Sequence, residues 1–361
     1  MTSPHVALTL EQMWHRVPGG TGVAAAGVAR GLTEAGASVT GVAAGHRSAP
    51  ALDPGVRIEH LPLPRLALYE SWHRFRWPRV ERATGPVDVV HATTLAIPPR
   101  SVPLVVTIHD LAFLTHPDFF TPRGVSFFMR GLALTKRDAD LIVCPSQATA
   151  AHCVRQGIAE ERVRVVPWGF DRRPTTPTDV DEARLRYRLE RDYVMWTGTI
   201  EPRKNLRGLI RAFEGADIDG DLVLVGPEGW NEDLHDLVRP VADRVRVLGY
   251  VPGEHLGPLY AGARVFCFPS FMEGFGFPVL EAMAQGTPVI TSRGTSTEEI
   301  AGDAATLVDP HDPDEIRHAI ERSFGDDGVV QRAAQLGPER AARFTWDRTA
   351  RGLIRVYEEL T

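Results

Sequence analysis

Two carboxylates, Glu273 and Glu281, bracket the run Glu-Gly-Phe-Gly-Phe-Pro-Val-Leu-Glu, which follows the apolar stretch Val265 to Phe268. That stretch is β-branched and aromatic and stops at Pro269, so it reads as a buried strand. Gly274 and Gly276 permit a backbone that approaches a ligand closely. Pro278 suits the first turn of a helix and Gly286 its end. The order is strand, glycine loop, helix start, and the free N–H groups of a helix start attract anions. Carboxylates beside a phosphate would repel it. They fit better as acceptors for sugar hydroxyls, one at each end of a ligand whose phosphates lie between them.

A second loop supplies cations. After the strand Tyr193 to Trp196 come Gly198, Thr199, Arg203 and Lys204, ahead of a helix expected to start near Asn205. Arginine offers phosphate a planar fork and lysine a mobile point charge. Together they suit a diphosphate and the charge that develops as it leaves. Near the N-terminus, Pro18-Gly-Gly-Thr-Gly-Val23 reads as a glycine loop between a first strand and a helix, with Gly20 able to bring backbone N–H groups to a phosphate. The strand Leu104 to Ile108 runs into His109 and Asp110, at the carboxyl end where parallel sheets bind ligands. Asp110 either orients His109 or caps the next segment. Asp138-Ala-Asp140 has D-x-D metal spacing, but it directly precedes the strand Leu141 to Cys144 and reads as the lead into that strand.

The Glu-x7-Glu run, its continuation Ala282-Met-Ala-Gln-Gly-Thr-Pro-Val-Ile290, and Val308-Asp309-Pro310 resemble retaining glycosyltransferases of the GT-B fold, family 4 above all. The resemblance implies α/β architecture, with two Rossmann-like domains whose parallel sheets face across a cleft. It assigns Glu281 to the ribose hydroxyls of a nucleotide and Glu273, with the backbone of Gly274, Phe275 and Gly276, to the transferred sugar. Lys204 is assigned to the diphosphate, and Arg203 less directly, because many relatives carry their second cation where this chain has Thr199. Gly20 matches the loop that meets the donor diphosphate or the acceptor from the other domain. His109 matches a histidine near the transferred sugar, and Tyr250 and Val251 the segment whose backbone reads the nucleobase. Trp168 departs from the family's usual Asn. Catalysis is expected to involve His109, Glu273, Lys204 and Arg203, with no cofactor and no catalytic metal. Thr107-Ile-His-Asp-Leu-Ala-Phe113 and the Arg203–Lys204 loop look most like bacterial polysaccharide mannosyltransferases. GDP-mannose is therefore the first expectation for the donor and a UDP-hexose the second, with a saccharide or lipid-linked acceptor. An epimerase of the same fold and a non-catalytic partner subunit are the alternatives.

The elements that must position these residues follow from periodicity. At 361 residues the chain exceeds one ordinary core, and two domains are expected. Short apolar runs alternate with helical stretches throughout, the pattern of parallel sheets covered on both faces. Strands are expected at Val6–Leu10, Ser38–Val42, Val87–His91, Leu104–Ile108, Leu141–Cys144 and Arg164–Val166, then from Tyr193, Leu222, Val245, Val265, Pro288 and Thr306. The Pro/Thr-rich segment Asp171 to Asp179 reads as an interdomain connection. Domains are expected at 1–170 and 171–345, with 346–361 a helix that returns to the first.

Composition narrows the partners. A hydrophobic share of 43%, a charged share of 24% and a net charge of −6 describe an ordinary globular chain with no electrostatic reason to bind nucleic acid. Three cysteines without a close pair, no secretory leader pattern and no long apolar run lead us to expect a cytoplasmic protein. No G-x-G-x-x-G follows the first strand, which argues against a dinucleotide oxidoreductase. Two aromatic and basic stretches, Trp72 to Arg79 and Phe119 to Arg137, fit either peripheral contact with an anionic membrane or helices that bury their aromatic faces.

Overall fold

The computed structural model describes residues 4–15, 19–227, 229 and 234–361. They form two compact units, one of residues up to 170 together with 344–361, the other of residues 171–343. In the first, strands β1 (His5–Thr9), β2 (Ser38–Ala43), β3 (Ile58–His60), β4 (Val89–Ala92), β5 (Leu104–Thr107), β6 (Leu141–Cys144) and β7 (Val163–Val165) pair in the order β3-β2-β1-β4-β5-β6-β7. In the second, β8 (Tyr193–Thr197), β9 (Asp221–Val225), β10 (Val245–Gly249), β11 (Val265–Phe268), β12 (Val289–Ser292) and β13 (Thr306–Val308) pair as β10-β9-β8-β11-β12-β13. Every pairing is parallel.

The central strands carry continuous apolar runs because helices cover both faces. Tyr193, Val194, Met195 and Trp196 of β8 are buried, as are all four residues of β11. Strand order reverses between β1 and β4 and between β8 and β11. In each sheet that switch point is where adjacent loops part and a ligand enters.

The expected strands form within one or two residues of their places. The short edge strand Ile58–His60 escapes the sequence because three residues, two of them polar, carry no usable alternation. Two local expectations are corrected. Gly19 to Gly22 form the first turn of the helix Gly19–Glu34 and not a loop; Pro18 lies outside the described residues. Ala24, Ala25 and Ala26, which follow, favour helix and outweigh the glycines before them. The Pro/Thr-rich connection is also shorter than its composition suggests. Thr176 and Asp179 cap each other's backbone in a capping box, which starts the helix Pro177–Tyr187.

The last helix, Trp346–Glu358, belongs to the first unit. Its buried face, Trp346, Leu353 and Tyr357, packs against Gly19–Glu34 and the sheet. Tyr357 Oη lies 2.7 Å from His91 Nδ1, and His91 Nε2 lies 2.8 Å from Thr107 Oγ1, so the helix is pinned to β4 and β5. Gly27 is required by this packing, since a Cβ there would sit 2.1 Å from the Trp346 ring. Gly27→Ala should therefore cost about 1–3 kcal/mol of stability in urea unfolding. Because the clash is with one ring, Gly27→Ala combined with Trp346→Leu should cost clearly less than the sum of the two single changes.

Candidate functional site

The loops after β8 and β11 meet at the switch point of the second sheet. Gly198 leaves β8 at φ 149°, and the aliphatic part of Lys204 lies against it, where a Cβ would approach Lys204 Cδ to 2.7 Å. Pro202–Lys204 form one tight turn, ended by Asn205 in the left-handed region. Asn205 is buried. Its Oδ1 accepts from Gly208 N and starts the helix Leu206–Glu214. Its Nδ2 donates to Pro269 O at 3.0 Å and Pro310 O at 2.6 Å, which ties the β8 loop to the β11 loop.

Glu273 sits between the two cations. Arg203 Nη1 is 2.7 Å from its Oε2, and Lys204 Nζ donates to its Oε1 at 3.1 Å. Arg203 also pairs with Glu201 at 2.7 Å and donates to Met272 O at 2.8 Å. The Lys204 ammonium stands 4.9 Å from the centre of the Phe268 ring. These side chains are nearly out of water, Glu273 and Lys204 each 11% exposed. Burial alone would raise the Glu273 pKa. The charges and hydrogen bonds of Arg203 and Lys204 outweigh it and hold the carboxyl at about 2.

The loop reaches the helix Phe277–Ala284 through Gly276, at φ 111°, where a side chain would run into Thr297. Ser296 Oγ donates to Glu273 O at 2.7 Å and fixes the loop from the helix Ser296–Ala301. Gly274 and Phe275 are buried within it. Glu281, in the helix itself, accepts from Tyr260 Oη at 2.8 Å. Burial raises its pKa, against the Tyr260 hydrogen bond and the Arg173 charge. Thr199 is half-buried beyond β8. Tyr250 is exposed and Val251 buried just past β10, so Val251 presents backbone only.

Among the expected site residues, Arg203, Lys204 and Glu273 are in direct contact. Glu281 has no direct bond to them, and Tyr250 and Val251 stand at the edge strand of the same sheet. Gly20 and His109 belong to the first unit. Gly20 is exposed in the first turn of its helix. His109 follows β5, and its Nε2–H donates to Thr93 O at 3.0 Å, with the Trp168 ring 5.9 Å away. Burial lowers its pKa despite the Thr93 carbonyl and the Asp110 charge, so it is neutral at pH 7. Asp110 accepts from Ala112 N and thus caps the next segment. Asp138 pairs with Arg76 and Arg137, and Asp140 with Arg100 and Leu104 N. Asn205, Glu201 and Tyr260 were missed as supporting residues. Asn205 carried a signal, an Asn directly before a helix; the other two had none, because their partners are set by the fold.

Removing Glu273 leaves buried Lys204 without its carboxylate and Arg203 with Glu201 alone, and breaking such a buried pair typically costs about 3–5 kcal/mol. Glu273→Gln should lose stability on that scale at pH 7 in urea unfolding. A folded-state pKa below the usual 4.5 contributes stability that is complete above 4.5 and lost as pH falls through about 2. The gap between wild type and Glu273→Gln should therefore narrow over that window.

Residues 18–173 match the family described as Glycosyltransferase Family 4, and residues 191–326 the one described as Glycosyl transferases group 1. O-antigen chain mannosyltransferase B of Escherichia coli is 34% identical over 75% of this chain and 74% of its own length. The serotype-specific mannosyltransferase WbdA of Escherichia coli is 30% identical over 71% of this chain, which spans only 34% of that protein. The crystal structure of Anabaena HepE in complex with UDP and glucose superposes with a TM-score of 0.78, covering 99% of this chain and 100% of that one at 18% identity, a likeness of GT-B fold. With both halves matched and a relative similar over most of its length, the chain belongs to glycosyltransferase family 4.

Proposed function

We propose that this glycosyltransferase moves mannose from GDP-mannose, with retention, to a saccharide or lipid-linked acceptor. The observation that carries the donor reading is the buried Arg203–Lys204–Glu273 cluster at a sheet switch point. Arg203 and Lys204 are the groups for the diphosphate, Glu273 and the backbone of Gly274 to Gly276 for the sugar, and Glu281 for the ribose hydroxyls. Gly20, Thr199, Tyr250 and Val251 are secondary donor contacts, and His109 is the group for the reacting sugar or acceptor. The mannosyl assignment is supported by the two Escherichia coli relatives.

A carboxylate held at about 2 by two cations is a poor nucleophile. That favours attack on the same face without a glycosyl-enzyme intermediate. The acceptor hydroxyl oxygen bonds to C1, the bond from C1 to the diphosphate oxygen breaks, and the hydroxyl proton passes to that leaving oxygen. Arg203 and Lys204 stabilise the charge it gains. The second reading, a UDP-hexose donor, is favoured by the UDP and glucose in HepE.

Among the described residues no helix is long and apolar enough to cross a membrane. We propose a cytoplasmic enzyme in peripheral contact with anionic lipid. The aromatic-basic stretches divide between core and surface. Trp72 is buried, and Phe127 stacks on His73 at 4.5 Å, while Phe75 is 76% and Trp77 45% exposed. Arg74, Arg123 and Arg130 line a cavity of about 560 Å³ beside Phe75, together with Glu70, which pairs with Arg74 and Arg130. Exposed rings next to arginines suit a lipid interface.

Thermal unfolding with GDP, UDP and ADP tests the donor. GDP at about 100 times its dissociation constant should add about 2.7 kcal/mol, and selective stabilisation by UDP would replace the mannosyl donor. Glu281→Ala should weaken GDP binding by roughly 1.5–3 kcal/mol; unchanged affinity would remove Glu281 from the site. Co-sedimentation with vesicles tests the membrane contact. Binding should need anionic lipid, weaken with salt, and drop in Phe75→Ser/Trp77→Ser, and equal binding to neutral vesicles would refute it.

A further inference from the structure

The carboxyl ends of β1, β2 and β3 carry a side-chain cluster that the donor chemistry does not use. Glu11, two residues past β1, is 3% exposed. Its Oε2 accepts from Ala44 N at 2.9 Å, just past β2, and its Oε1 lies 2.8 Å from His46 Nε2. A carboxylate only accepts, so His46 donates through Nε2–H, and its Nδ1 in the neutral ring is a lone-pair acceptor. His60, the last residue of β3, lies with Nδ1 2.6 Å from Ala44 O. A carbonyl also only accepts, so the lone pair of neutral His60 is on Nε2. Neither free nitrogen has a partner among the described residues, and neither is a buried orphan.

A flat apolar surface completes the group. The Trp14 ring stacks on His46 with centroids 4.3 Å apart and planes within 4°, and His60 meets both rings edge-on. Trp14 Nε1 donates to Ser48 O at 2.8 Å, which fixes the indole while leaving the residue only half-buried. The combination is an oriented ring beside two tautomer-fixed acceptors on rigid strand ends. Sugar hydroxyls donate to such acceptors, and a pyranose C–H face packs on such a ring. His46 is half-buried and His60 exposed.

We propose that Trp14, His46 and His60, held in place by Glu11, form a saccharide-binding subsite at the carboxyl end of the first sheet. The choice of a mannose-containing ligand rests on the function proposed above.

Full-length protein labelled with ¹⁵N-histidine, saturated with GDP and titrated with mannotriose, provides the test. His46→Gln and His60→Gln assign the two signals. The His46 and His60 resonances should shift saturably with mannotriose and not with GDP alone. Each substitution should weaken mannotriose affinity about tenfold, as the loss of one hydrogen bond predicts, and leave the GDP-induced rise in Tm unchanged. Absence of a mannotriose-dependent shift at His46 and His60, or equal affinity in both variants, overturns the subsite. A response at His46 and His60 in a protein that GDP does not stabilise would uphold the subsite and refute the nucleotide reading instead.

Discussion

The shared ion pair of Glu273 with Arg203 and Lys204 constrains everything around it. None of the three is exposed enough to be ionised alone without a large desolvation cost. The loops after β8 and β11 must therefore close on each other, and the residues between them serve that closure. Asn205 links the two backbones, Gly198 gives Lys204 room to lie flat, and Ser296 holds the Glu273 carbonyl. Glu273 and Glu201 offset the two cations, so an incoming anion would have to share or replace these pairings.

Parallel topology explains where these groups stand. Each strand delivers its following loop to the same edge of its sheet, so residues far apart in sequence gather there. Glu11, His46 and His109 follow strands of the first sheet and His60 ends one, and Arg203, Lys204 and Glu273 follow two central strands of the second. The surroundings then set the chemistry of each group. Glu273, among cations, is held anionic, whereas His109, half-buried against a carbonyl and an indole, has its pKa lowered and so favours the neutral ring. Neutral His109 with its Nε2–H committed to Thr93 presents an acceptor and not a charge.

The aromatic and basic segment shows how one backbone torsion divides a run of similar residues. The helix Arg65–Phe75 buries Trp72 and leaves Phe75 outside, and Arg76, at φ 52°, ends it. Arg76 then donates to Ile97 O and Pro98 O and pairs with Asp138, which directs the chain that follows. A list of aromatics and arginines contains no such break, so core and surface rings looked alike.

The sequence alone determined the alternation of strands and helices, the Arg203–Lys204 and Glu273–Glu281 motifs and the family, because these rest on local patterns: apolar runs, glycines at forced turns, and charges at short spacing. Arg203 with Lys204, and Glu273 with Glu281, were legible for that reason. Tertiary structure decided what local patterns cannot hold. It drew the N-terminal glycines into a helix, brought Glu273 onto both cations, gave Glu281 its Tyr260 partner, and set Trp14, His46 and His60 together across three strand ends. These contacts join residues from 21 to 70 positions apart in the second unit. Their energies depend on burial and mutual charge, which exist only once the sheets have formed.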